Sequence, residues 1–78
     1  MTCAEALRRL MVAHRLKQMA VAAEAGMCTS SVTYTLQGKM RVRPSMINAV
    51  ADLTGVDRFH RQELHRMAAR EAGWEIGE

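Results

Sequence analysis

The chain has 78 residues, a net charge of +3, 49% hydrophobic but only 4% aromatic residues, and seven methionines. That length allows one domain near the lower limit for a hydrophobic core, and the scarcity of aromatic and β-branched residues favours packed helices over a sheet. There is no apolar run of the roughly 20 residues a membrane span requires, and two cysteines are too few for a disulfide scaffold.

Thr2-Cys-Ala-Glu5 fits a capping box, so a first helix is expected over 3–14. Its core stripe would be Leu7, Leu10 and Met11, with His14 as a helix-end histidine at its limit and Arg8, Arg9 and Arg15 outside it. Glu5, Arg8 and Arg9 also interrupt the place where the apolar region of a signal peptide would lie, so a cytoplasmic chain with reduced thiols is expected. Leu16 then leads into a helix over 18–25, and a second short helix follows over 29–36. Only Gly26, Met27 and Cys28 separate them. Glycine can take the positive φ that ends a helix, and so short a turn makes the two helices meet steeply. Val21, Ala22, Ala25, Met27 and Val32 have the spacing that packs one helix on the other. The pattern reads as a helix-turn-helix, and its second helix is the element expected to meet DNA.

Gly38 is placed to end helix 3, and the basic segment Lys39-Met-Arg41-Val-Arg43 leads to Pro44-Ser45. A fourth helix is expected over 45–54, with Met46 or Ile47, Val50 and Leu53 inward and Gly55 as its stop. Asp57 can cap a fifth over 57–72, with Leu64, Met67 and Ala68 inward. Residues 73–78 form a short tail holding Trp74 and Ile76. Charge is uneven: residues 1–44 carry seven cations against two acids, and residues 45–78 four against six. A basic first half suits a face toward phosphate, and the remainder a face toward protein or solvent.

The run Leu16-Lys-Gln18, Val21-Ala22, Ala25-Gly26-Met27, Val32, Gly38-Lys39 and Pro44-Ser45 resembles the phage-repressor and Cro-like (Xre-type) helix-turn-helix domain. The resemblance covers about residues 4–56 well. It implies an all-α, five-helix, lambda-repressor-like fold in a single domain, 1–78, that binds double-stranded operator DNA as a dimer and acts as a transcriptional repressor. On the matching positions, Thr29, Ser30, Thr33 and Tyr34 would face the bases. Lys17, Gln18, Lys39, Arg41 and Arg43 would meet phosphate, with Gln18 able to brace a recognition side chain. Neither cofactor nor metal is implied.

Three departures stand out. Lys17 and Cys28 occupy the usual Ser/Thr cap positions of helices 2 and 3. Met11 and Leu36 stand where many members pair an arginine with a glutamate, which predicts an apolar contact in place of a buried ion pair. The outward side of helix 3 is all hydroxyl and phenol, without the Arg, Gln or Asn that make strong bidentate base contacts. Tyr34 has two readings, a nucleic-acid contact or a half-buried packing residue. Phe59, Met67, Trp74 and Ile76 are candidates for a dimer surface, with Trp74 folding back on its own chain as the other option. His14, His60, His65, Cys3 and Cys28 offer no zinc spacing, and an enzymatic role is not expected. The competing class is a protein-interaction module on the same fold, such as an antitoxin or antirepressor-like domain.

Overall fold

The computed structural model describes residues 2–71. They form α1 (Cys3–Ala13), α2 (Gln18–Ala25), α3 (Thr29–Leu36), α4 (Pro44–Thr54) and α5 (Arg58–Glu71), with no strand among the described residues. The fold is therefore the expected all-α helix-turn-helix arrangement of five helices. Three helix ends differ from the sequence reading by one residue, and the expected end of the fifth helix at residue 72 lies outside the described residues. His14 caps α1 instead of extending it, Pro44 is the first residue of α4, and Asp57 lies outside α5 as its cap.

The start of α1 shows why the helix begins there. The Thr2 hydroxyl accepts from the Glu5 backbone N–H at 3.2 Å, and Glu5 Oε1 accepts from the Thr2 N–H at 2.9 Å. A third contact was not legible in the sequence: the Cys3 N–H donates to Glu71 Oε2 at 2.6 Å across 68 residues. A carboxylate at a helix N-terminus satisfies an otherwise unpaired donor and meets the positive end of the helix dipole. This contact ties the end of α5 to the beginning of α1.

At the start of α5, Asp57 Oδ1 accepts from the His60 N–H at 2.8 Å. That bond, followed by the contact with the His60 ring, holds the Asp57 carboxyl below its ordinary range. Glu5 is lowered in the same way, chiefly by the Thr2 backbone N–H. Since both folded values are depressed, their stabilisation is complete above the unfolded values of about 4 and lost as pH falls through the folded values. The urea midpoint is accordingly expected to drop between pH 5 and pH 2.5. Asp57→Asn, which caps without titrating, should flatten that drop, and an equally steep profile would contradict the assignment.

Helices α1 and α3 end alike. Lys39 N–H donates to Tyr34 O at 2.9 Å around Gly38, whose φ is 82°. At the end of α1, Leu16 N–H donates to Met11 O at 2.8 Å and Arg15 N–H to Val12 O at 3.1 Å. Here the left-handed position, φ 52°, is occupied by Arg15, the one non-glycine residue in that region among those described. Left-handed backbone is costly for a residue with a Cβ, and Arg15 is exposed. Arg15→Gly is thus expected to stabilise the fold by ~1 kcal/mol, raising the thermal midpoint by about 4–8 °C. A lower midpoint would show that the gain in unfolded-chain entropy outweighs the strain.

The core is aliphatic and thioether-rich. Leu7, Val21, Val32, Met46, Ile47 and Val50 are fully buried in one cluster, and Leu64 closes it from α5. Helix α4 packs against α1, α2 and α5, and its Ala49 and Ala51 are buried where neighbours come close. Met11 and Leu36 are each only 4% exposed and belong to this same cluster, as their replacement of an ion pair led one to expect.

Two expectations are corrected. Leu53 is 40% exposed, because Thr54 takes the half-buried position a turn after Val50 and donates its hydroxyl to the Val50 carbonyl at 2.7 Å. His14 is exposed at the end of α1 and does not join the core stripe, since the helix has ended before it. Met67 faces inward as expected, packing half-buried against the core. Thr35, not expected inside, is fully buried with its hydroxyl donated to the Ser31 carbonyl at 2.7 Å.

Cys3 is buried, its Sγ 3.4 Å from the Leu64 carbonyl. Loss of solvation, aided by the negative charge of Glu71, pushes its pKa up to about 11.

Candidate nucleic-acid interface

Gly26 has the positive φ, 70°, anticipated at the end of α2. The Met27 N–H donates back to the Ala22 carbonyl at 2.9 Å, so the chain reverses within three residues. Val21, Ala22 and Val32 are buried between α2, α3 and the rest of the core, and Ala25 and Met27 pack half-buried beside them. The motif thus holds α3 by one side and leaves the other open.

That open side carries Thr29, Ser30 and Tyr34, all exposed. Thr33 is different. It is half-buried, and its hydroxyl donates to Gln18 Oε1 and lies 3.1 Å from the Thr29 carbonyl. With its proton committed, Thr33 can offer only a lone pair or its methyl group outward. Gln18 therefore links the first turn of α2 to the middle of α3. Tyr34 is 48% exposed, and the Lys39 ammonium stands 5.8 Å from its ring centroid. A cation at this distance over an aromatic face is attracted by the ring quadrupole.

Lys39, Arg41 and Arg43 are exposed, and the residues between them, Met40 and Val42, are half-buried. The segment therefore alternates with period two, its cations outward and its apolar side chains inward. Val42 packs on the core cluster. This anchor gives a basic segment without secondary structure a defined outer face, something its charge alone did not reveal. Lys17, also exposed, caps α2 through its backbone without a side-chain cap bond, and Cys28 does the same for α3.

Of the proposed dimer residues, Phe59 is 67% exposed, while Trp74 and Ile76 lie outside the described residues. Val12 and Met19, 76% and 71% exposed, are large apolar side chains not singled out from the sequence. No helix among the described residues is long and apolar enough to cross a membrane.

A family model described as a helix-turn-helix domain matches residues 4–64, which span all of α1 to α4 except Cys3, and the first half of α5. Neither the curated proteins nor the solved structures contain a match. With the match covering most of the chain and the two packed helices at its centre, the protein belongs to the helix-turn-helix domain family.

Proposed function

We propose that this chain is a sequence-specific double-stranded DNA-binding transcriptional regulator, a repressor of the Cro-like, Xre type acting in the cytoplasm. The observation that carries the reading is the exposed face of α3 together with the exposed cations Lys17, just before α2, and Lys39, Arg41 and Arg43, just after α3. Helix α3 enters the major groove with Thr29, Ser30 and Tyr34 toward base edges. Gln18 contacts phosphate through its amide nitrogen while its oxygen fixes Thr33. Hydroxyls discriminate bases weakly, so affinity comes mainly from phosphate contacts, and part of the specificity from DNA shape. A second copy, joined through Phe59 at the start of α5, sets two half-sites one helical turn apart, ~34 Å.

One observation favours a second reading, a protein-interaction module: α3 presents no Arg, Asn or Gln, while Val12 and Met19 are open apolar surface. A gel shift with DNA from upstream of the protein's own coding sequence, at two salt concentrations, separates the two. A sequence-specific complex that weakens with salt is expected for the regulator. No complex at low salt would favour the interaction module. Gel filtration of the free protein tests the dimer.

A further inference from the structure

The open side of α3 carries Thr29, Ser30 and Tyr34, all exposed, with Thr33 half-buried, and the helix contains neither a charged nor an amide side chain. In the major groove one base pair differs from another by its order of donors and acceptors and by the thymine methyl. A rotatable hydroxyl donates and accepts alike, so it bonds thymine O4 as readily as cytosine N4, and adenine N6 as readily as guanine O6. The donor and acceptor code is therefore nearly invisible to such a face. What remains is the C5-methyl group, a fixed apolar projection that apolar atoms of the protein can meet.

Helix α3 supplies those atoms. Thr29 and Thr33 stand four residues apart and so share one side of the helix, each with a γ-methyl group. Thr33 is held in place before DNA arrives, because its hydroxyl donates to Gln18 Oε1 and lies 3.1 Å from the Thr29 carbonyl. A β-branched side chain with its oxygen tied on two sides has its χ1 set, so its methyl is immobilised and costs no entropy on contact. The amides lie elsewhere. The Gln18 oxygen is taken by Thr33, and Gln37 caps the far end of α3, ~12 Å along the axis from Thr29. A recognition helix meets base edges through its N-terminal residues, where the two threonines are.

We propose that Thr29 and Thr33 select pyrimidines by their C5-methyl group, so that thymine and 5-methylcytosine are equivalent targets; this rests on the DNA-binding reading. Cytosine methylation within a site then adds a contact instead of blocking one.

The probe is DNA from upstream of the protein's own coding sequence, synthesised either with thymidine or with deoxyuridine, which lacks only the methyl. Specific affinity is expected to fall about fourfold for each methyl contacted, the effect of burying one methyl group. The double variant Thr29→Ser with Thr33→Ser keeps both hydroxyls, and with them the bond to Gln18, but removes both methyls. It should bind the two DNAs equally. At any thymine whose replacement by uracil weakens wild-type binding, a 5-methylcytosine–guanine pair should bind about fourfold more tightly than a cytosine–guanine pair. This last comparison uses the unaltered protein and decides by itself if the double variant fails to fold. Equal wild-type affinity for the thymidine and deoxyuridine DNAs would overturn the proposal, as would no gain from 5-methylcytosine. An undiminished loss in the double variant would do the same, because it would trace the effect to DNA shape. A sequence-specific complex that tolerates uracil leaves the DNA-binding reading standing and removes the methyl selection alone. No complex with either DNA at low salt overturns both.

Discussion

Leu36→Glu is expected to lower the thermal midpoint by at least about 12 °C and to leave much of the protein unfolded at moderate temperature. Leu36 is 4% exposed and surrounded by the common core, with Met11 in the same cluster. A lone carboxylate placed there would be a buried charge without a partner, which costs roughly 3–5 kcal/mol. A chain of this size has only about 4–12 kcal/mol of stability in total, and each kcal/mol moves the midpoint by about 4–8 °C. The informative companion is the double variant Met11→Arg with Leu36→Glu. If the two positions are coupled, the arginine should recover part of the loss, by ~0.5–3 kcal/mol in a double-mutant cycle. Thermal melts followed by circular dichroism measure all four corners. An unchanged midpoint for Leu36→Glu would mean that its side chain escapes to solvent and that the apolar contact contributes little.

The second large effect concerns salt. Replacing Lys39, Arg41 and Arg43 together by glutamine should reduce the slope of log affinity against log salt by ~2.7, the release of three counterions. Between 50 and 200 mM salt, the wild type should therefore lose about 40-fold more affinity than the triple variant does. The loss at low salt should be nearly equal for specific and unrelated DNA, because phosphate contacts carry no sequence information. By contrast, Thr29→Ala or Ser30→Ala should change discrimination between sequences and leave the slope unaltered. Binding isotherms at four salt concentrations separate these patterns, and an unchanged slope in the triple variant would remove the 39–43 segment from the phosphate contacts.

Local signals account for what the sequence made legible. Thr2 and Glu5, Gly26, Gly38, Pro44 and Gly55 mark helix ends through capping and backbone conformation, so the five helices could be bounded to within a residue at most ends. Burial was legible wherever the helical stripe was continuous, as at Leu7, Val32 and Val50. It failed at Leu53, where two neighbouring positions in the last turn could face inward and the smaller Thr54 did so. Thr35 was missed for the opposite reason: a hydroxyl that bonds its own helix removes the usual penalty for burying it. At the candidate interface, residue types were visible but their commitments were not. That Thr33 is engaged by Gln18, that Lys39 lies over Tyr34, and that Glu71 reaches Cys3 are contacts between elements, and no periodicity encodes them.

The burial of Cys3 has a practical consequence for observing how the molecule opens. Its thiol, with a pKa of about 11, is only about one-thousandth ionised at pH 8, and it is enclosed between α1 and α5, whereas Cys28 is exposed. A thiol reagent should therefore label one site per chain at once and the second only when α1 parts from α5. The ratio of the two rates gives the free energy of that separation under native conditions, residue-resolved and without denaturant. The two cysteines thus serve as a fast reference and a slow reporter within one polypeptide.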